Sequence, residues 1–356
     1  MTIRYLTSGE SHGPALTAIL EGIPAGLPLD AETINADLAR RQQGFGAGGR
    51  MDIEKDRVRI LGGVMNGQTT GAPIALMIEN KDHANWIGKA VPAYVTPRPG
   101  HADLAACVKY GYDDIRPSLE RASARETAAR VAVGSICRAL LSQFGITIHG
   151  KVLRVGDGSA APEELIAQIR RQGETLGGII EVIADNLPIG LGSHVNWDRR
   201  LDSRLGAAFL GIPAIKGIEI GDAFENTTRP GTQVHDGITP TGRTSNRAGG
   251  IEGGITNGQP LVVRLAMKPI PTTIRPQQTI NAVTKEPSPT TYERSDFCPV
   301  PRAVVVMETT MAYVLANALC EKLGGDSIAE MKPRFEALPN QQNGLKITPS
   351  PKVFWP

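Results

Sequence analysis

Two short segments carry residues whose types and spacing suit acid–base chemistry on an anion. Arg98-Pro99-Gly100-His101-Ala102-Asp103 sets a histidine directly after a Pro-Gly turn, with a carboxylate two residues on that can orient or polarise the ring. Arg121-Ala122-Ser123-Ala124-Arg125-Glu126-Thr127 opens what reads as a long helix. Two arginines and a serine at a helix start make a seat for a phosphorylated ligand. A third segment, Gly9-Glu10-Ser11-His12-Gly13, adds a histidine next to a hydroxyl. It has the outline of a hydrolase nucleophile elbow, but too few residues precede it for the sheet an elbow needs, and the histidine sits inside the motif. Taken alone, Ser11 and His12 read either as groups that bind and protonate a ligand or as a turn with a surface histidine.

Three further stretches suit an anionic ligand. Arg40 and Arg41 lead into Gly44-Phe45-Gly46-Ala47-Gly48-Gly49-Arg50, a basic glycine-rich loop. Lys268-Pro269-Ile270-Pro271-Thr272 has two prolines that fix the backbone, so its carbonyls and hydroxyl point in set directions. Arg294-Ser295-Asp296-Phe297-Cys298 is a compact cation–anion motif. His83, His149, His194 and His235 read as structural or surface residues, and no carboxylates stand at metal-ligand spacing.

Apolar spacing predicts helices over 30–41, 118–143, 162–173, 198–210 and 309–323. Short β-branched or alternating runs predict strands at Arg57–Leu61, Ile74–Ile78, Gly178–Ile183, Leu261–Ala266 and Ala303–Met307. Helices and strands intermix, so the class is α/β or α+β. Gly62–Gln68 recurs as Gly253–Gln259, each with an Asn-Gly pair suited to a hairpin turn, and Gly22–Ala25 recurs as Gly211–Ala214. The offsets, 191 and 189 residues, nearly agree and suggest an internal duplication. Segments 225–250 and 275–300, rich in Gly, Pro, Thr and Ser, are expected as flaps over a site.

At 356 residues the chain can bury a large core. Aromatics are only 4%, so that core must be built from Ala, Val, Ile and Leu. A net charge of +2 excludes polyelectrolyte character, so nucleic acid is not an expected partner and any anion site must come from local arginines. The four cysteines show no close pairing, and the apolar stretches are short for a membrane span. The chain reads as a soluble cytoplasmic protein.

Together the Gly9–Gly13, Arg98–Asp103 and Arg121–Thr127 segments resemble the chorismate synthase family, from the N-terminus to about residue 325. The resemblance implies an α+β fold. It would be a single domain over 1–325 with internal pseudo-duplication, helices sandwiched between antiparallel β-sheets, and a C-terminal tail over 326–356. It implies a carbon–oxygen lyase that eliminates phosphate from 5-enolpyruvylshikimate 3-phosphate to give chorismate. This final step of the shikimate pathway uses reduced FMN without net redox change. By the same resemblance, His12 is general acid to the leaving phosphate, His101 stands at the flavin N1 edge, and Asp296 lies near flavin N5 and helps to take the C6 proton. Arg121, Ala122, Ser123, Pro213, Ala214, Gly253, Lys268, Pro269, Ile270, Pro271, Thr272 and Arg294 would border FMN. Ser11, Arg41, Ser123, Arg125 and Arg294 would reach the substrate. The family usually has an arginine where this chain has Ala47, and Arg50 is expected to replace it at the substrate; at Pro213 the family more often has Asn. The family also implies a homotetramer. No nicotinamide (NADP) fingerprint or appended reductase segment is visible, so reduced FMN is expected from an external reductant. No metal and no membrane partner are expected.

Overall fold

The computed structural model of the chain describes residues 2–44, 55–293, 295–338 and 347–352. Alternation along strand β2 (Ala15–Glu21) buries Leu16, Ala18 and Leu20 on one face, the pattern of a sheet covered on one side. β2 pairs antiparallel with β1 (Arg4–Ser8) and β4 (Ile74–Glu79), and β3 (Val58–Gly62) pairs with the far side of β4. The second sheet runs β5 (Thr147–Val155), β6 (Gly178–Asp185), β8 (Leu261–Met267), β7 (Ile215–Ile220), again antiparallel throughout. Each sheet thus has its first, second, fourth and third strands in that order.

Between the sheets lie α1 (Ala31–Gln42), α4 (Thr127–Ser142), α6 (Leu201–Leu210) and α7 (Val300–Leu323). α4 packs on the first sheet, α7 on the second, and the two helices pack on each other. One cluster of buried apolar residues runs from Ile3 to Met331 through both halves. This is the expected α+β sandwich. Outside it, α2 (Asp103–Tyr110) and α3 (Arg116–Arg121) pack on each other, and α5 (Pro162–Arg171) packs on β5. The segment expected as a tail opens with α8 (Ile328–Glu336), whose Ile328 and Met331 are buried.

The duplication is real in topology, though neither sequence echo is in register with it: Gly62–Gln68 answers to Gly249–Ile255, four residues before the match read from sequence. Gly62–Gln68 and Gly253–Gln259 both join the third strand of a sheet to the fourth. Asn66 and Gly67 take the positive φ of a tight hairpin turn, as expected. In the second half the turn is instead at Gly253-Gly254, between Ile251-Glu252 and Ile255-Thr256. Gly22–Ala25 precedes α1, whereas Gly211–Ala214 follows α6, so that match is not an equivalence. The true counterpart of Ile23-Pro24-Ala25-Gly26-Leu27 is Leu187-Pro188-Ile189-Gly190-Leu191. Thr69 Oγ1 donates to Pro24 O and accepts from Leu27 N, just as Thr256 Oγ1 does with Pro188 O and Leu191 N.

Two predicted elements are corrected. Ala303–Met307 is not a strand: it lies inside α7, which starts at Val300 rather than near 309. A helix buried on nearly all sides loses its amphipathic period, and three consecutive valines then mimic a strand. The helix predicted over 118–143 is broken at Ala122-Ser123, where Ser123 is extended (ψ 142°) and caps a 3₁₀ turn, Ala124–Glu126. α7 alone among the described residues is long and apolar enough to cross a membrane, but it is buried between the other helices and the second sheet.

Close approach of α4 to α7 depends on Gly134. A Cβ there would sit 2.3 Å from Thr309 O, a backbone atom that cannot swing away. Gly134→Ala is expected to destabilise the fold by about 1–3 kcal/mol through overpacking, despite the better helix propensity of Ala. Urea denaturation measures this, and an unchanged midpoint would mean the two helices separate at no cost.

Candidate active site

The loop between β1 and β2 carries Ser11 and His12. Gly9 takes φ +112°, and a Cβ there would meet Ala15 O at 2.4 Å, so the tight loop needs glycine. Asn80, just after β4, donates to Glu10 O and Gly13 O at 3.1 and 2.8 Å. His83 Nδ1 lies 2.9 Å from His12 O, so this histidine supports the loop rather than idling at the surface. The His12 ring rests on Trp86, with centroids 4.3 Å apart and planes 35° apart. Glu120, at the end of α3, bonds His12 Nδ1 at 2.8 Å and accepts from His12 N at 2.8 Å. Burial opposes the charge of Glu120, but these contacts with His12 outweigh it and hold the carboxyl below its usual range.

The broken helix changes how the expected arginines sit. Arg121 ends α3 instead of opening a helix. Its guanidinium donates to Thr7 O, Thr7 Oγ1 and Gly9 O, anchoring the loop from its other side. Ala122 is the residue after α3, and Ser123 Oγ bonds Ser11 Oγ at 3.2 Å. Arg125 is buried: Nη1 meets both Asp56 carboxylate oxygens at 2.6 and 2.7 Å, and Nε donates to Asn80 Oδ1. Arg41, also buried, donates to Thr127 Oγ1 and Ala124 O, with Nη1 3.6 Å from Asp56. Burial, countered by Asp56 and reinforced by Arg125 and Arg302, pushes the Arg41 guanidinium down to about 10. It remains charged at neutral pH.

His101 follows Gly100, which takes φ +74° in its turn. His101 Nδ1 lies 2.5 Å from Asp103 Oδ1, as the local spacing suggested. Arg98 grips the same carboxylate through N, Nε and Nη2, at 2.8 to 3.0 Å. Asp103 is wholly buried; burial opposes its charge, but His101 and Arg98 hold the carboxyl well below its usual range. Arg98 Nη1 continues to Thr272 Oγ1, and Lys268 Nζ bonds Gly100 O. Ile270 O and Pro271 O accept from Thr175 and Gln277, fixing the proline-rich segment with Pro269 inside it.

Two polar chains therefore converge. One runs from His12 and Ser11 through Ser123, Arg125 and Asp56 to Arg41, whose backbone O accepts from Arg302 Nε. The other runs from His101 through Asp103, Arg98 and Thr272 to Ser295, the neighbour of Asp296. Arg302 closes the gap, with Nη1 2.5 Å from Asp296 Oδ2. Beside this junction is an open cleft, with Arg41, Asp296 and Arg302 at its polar end and Pro213, Ala214, Met267, Ile270, Val306 and Met307 among its apolar walls. Ala214 takes φ +69° there, a strained conformation for a residue with a Cβ, of the kind that clusters at functional sites.

The sequence model of the family described as chorismate synthase matches residues 3–320. The chain belongs to the chorismate synthase family. It is similar to the chorismate synthases of Geobacter metallireducens, at 48% identity over 94% of this chain and 98% of the relative, and of Caldanaerobacter subterraneus subsp. tengcongensis, at 50% identity over 94% and 97%. A crystal structure of a chorismate synthase superposes with a TM-score of 0.76 at 44% identity, covering 94% of this chain and 97% of that one.

Against the family expectations, Arg41, Pro213, Ala214, Ile270 and Asp296 share the cleft. Gly253 sits at its hairpin turn and is not among the residues lining it. Arg50, Ala47 and Arg294 lie outside the described residues. Within the segment expected as a flap over 225–250, Arg243 is paired with Glu252 at 2.6 Å. Sequence reasoning missed Glu120, Asp56, Asn80 and Arg302. A signal existed for one: Arg302 is a charge set in an otherwise apolar run, where it needs a partner.

Proposed function

We propose that this chorismate synthase family member works through the expected residues at the cleft, as a lyase on 5-enolpyruvylshikimate 3-phosphate with reduced FMN. The observation that carries the reading is the junction of the two histidine-bearing chains at Asp296 and Arg302, beside an apolar cleft.

The donor set fits a flavin. The apolar walls suit a flat ring, and the polar end carries charge to match an anionic one. Arg41, Arg125 and Arg302 are gathered around Asp56 and Asp296, which sets guanidiniums at the polar end. Arg41 Nη1 is buried and makes no hydrogen bond among the described residues, which suits a site awaiting an anionic ligand. Reduced FMN, when bound, would supply electron density for loss of the phosphate and recover it as the unacidic C–H bond breaks, with no net redox change.

The chain's own residues bind, orient and move protons. Ser11, Ser123 and Arg41 hold the anionic substrate, with Arg125 contributing charge from behind Asp56. His12 donates a proton to the departing phosphate. His101, held by Asp103, stabilises negative charge at the cofactor edge. Asp296, held by Arg302, accepts the ring proton. Arg121, Ala122, Gly253, Lys268, Pro269, Pro271, Thr272 and Arg294 border the cofactor, and Arg50 and Arg294 complete the substrate clamp. We further propose one catalytic unit over 1–325, a cytoplasmic homotetramer, and an external source of reduced flavin.

Guanidiniums at the polar end of the cleft favour an anionic reduced flavin ring over the neutral oxidised ring, and bound substrate shields that cleft from water. Reduced FMN is therefore expected to bind more tightly than oxidised FMN when substrate is present. Anaerobic titrations of both forms test this. Equal affinity in the ternary complex would overturn the cofactor reading.

A further inference from the structure

We propose that Glu120 is the positioning residue for His12: it fixes the hydrogen on Nδ1, orients the ring, and makes Nε2 the nitrogen that exchanges a proton with the substrate. The consequence for turnover rests on the role proposed for His12; the assignment of the tautomer does not.

Three contacts carry the inference. Glu120 Oε1 lies 2.8 Å from His12 Nδ1, and Oε2 accepts from His12 N at 2.8 Å. The backbone O of the same residue accepts from Ser11 N at 3.3 Å. Glu120 therefore grips two consecutive residues of a loop to which it is tied across 108 positions of chain. A carboxylate has only acceptor atoms, so Nδ1 must carry the hydrogen. A neutral imidazole then bears its lone pair on Nε2, and an imidazolium presents Nε2–H.

Surrounding groups hold this geometry. Trp86 covers one face of the ring, and its own Nε1 donates to Asp82. The Arg116 guanidinium lies 5.8 Å from the Trp86 ring centroid, so the indole is itself braced. His83 bonds the His12 carbonyl. Glu120 is nearly buried, with 10% of its side chain exposed, so solvent competes weakly for its oxygens. Its lowered carboxyl supports a charged partner facing His12. Glu120 takes no part in the apolar core.

The test uses full-length protein with ¹⁵N-labelled histidine, His12 being assigned by the signals lost in His12→Asn. At alkaline pH, wild type is expected to show a protonated-type Nδ1 and a bare-type Nε2. Glu120→Ala is expected to move the hydrogen largely to Nε2. Glu120→Gln, which keeps one acceptor for two N–H groups, should give an intermediate spectrum and carries the test if the alanine variant does not fold. In turnover, Glu120→Ala should lower kcat about 10–100-fold, below the loss expected for His12 itself, with KM for substrate unchanged within about twofold. A wild-type His12 with its hydrogen on Nε2, or variants that keep the wild-type tautomer, would overturn the proposal. A changed tautomer with unchanged kcat would uphold the positioning and overturn the proton-donor role of His12.

Discussion

His12→Ala is expected to lower kcat by about 10²–10⁴-fold while FMN affinity changes little. That is the range a positioned general acid contributes. The separation of effects follows from where the ring sits. His12 contacts Glu120, Trp86 and the loop beneath it, and it is not among the residues lining the apolar cleft. His101 belongs to the other chain, tied through Arg98 to Thr272. His101→Ala should therefore change both the rate and the absorption spectrum of bound reduced flavin, whereas His12→Ala should change the rate alone. Stopped-flow turnover and anaerobic flavin titration on the two variants measure this. A His12→Ala enzyme at the wild-type rate would remove it as proton donor. Loss of flavin affinity in that variant would move it to the cofactor.

The largest stability effect is expected at Asp56. Its side chain is fully buried, meets Arg125 Nη1 through both oxygens, and lies 3.6 Å from Arg41 Nη1. Asp56→Ala would leave two buried guanidiniums facing one another without their carboxylate. Removing one partner of a buried ion pair costs about 3–5 kcal/mol, because the remaining charge keeps its desolvation penalty without its compensation. Replacing the second charge should relieve much of that penalty, so Asp56→Ala with Arg125→Met should be more stable than Asp56→Ala alone. Urea denaturation of the three variants checks both statements. A single variant within about 0.5 kcal/mol of wild type, the range of ordinary surface substitutions, would show that the cluster does not depend on Asp56.

What the sequence revealed depended on how locally each feature is encoded. The His101–Asp103 contact spans two residues and follows a Pro-Gly turn, so it was readable at once. The cap of α1 by Asp30 is likewise local. Glu120 and His12 stand 108 residues apart, and Asp56 and Arg125 stand 69 apart; no periodicity announces such pairs. The break at Ser123 was hidden because apolar spacing continues across it. The buried helix α7 was cut in two because period-based reading needs an exposed face, which this helix lacks. The duplication is real, yet both apparent echoes missed its register: Gly62–Gln68 answers to Gly249–Ile255, and Gly22–Ala25 does not answer to Gly211–Ala214. The equivalence that matters, Thr69 with Thr256 under matching prolines, joins Pro-x-Gly-Leu segments 164 residues apart to threonines 187 apart, so no single offset reveals it.

The most direct test of the account is a turnover assay with 5-enolpyruvylshikimate 3-phosphate, FMN and dithionite under anaerobic conditions. Phosphate and chorismate are expected to form in equal amounts over many turnovers, with the flavin still reduced at the end. No phosphate release, or one flavin oxidised for each phosphate released, would contradict it.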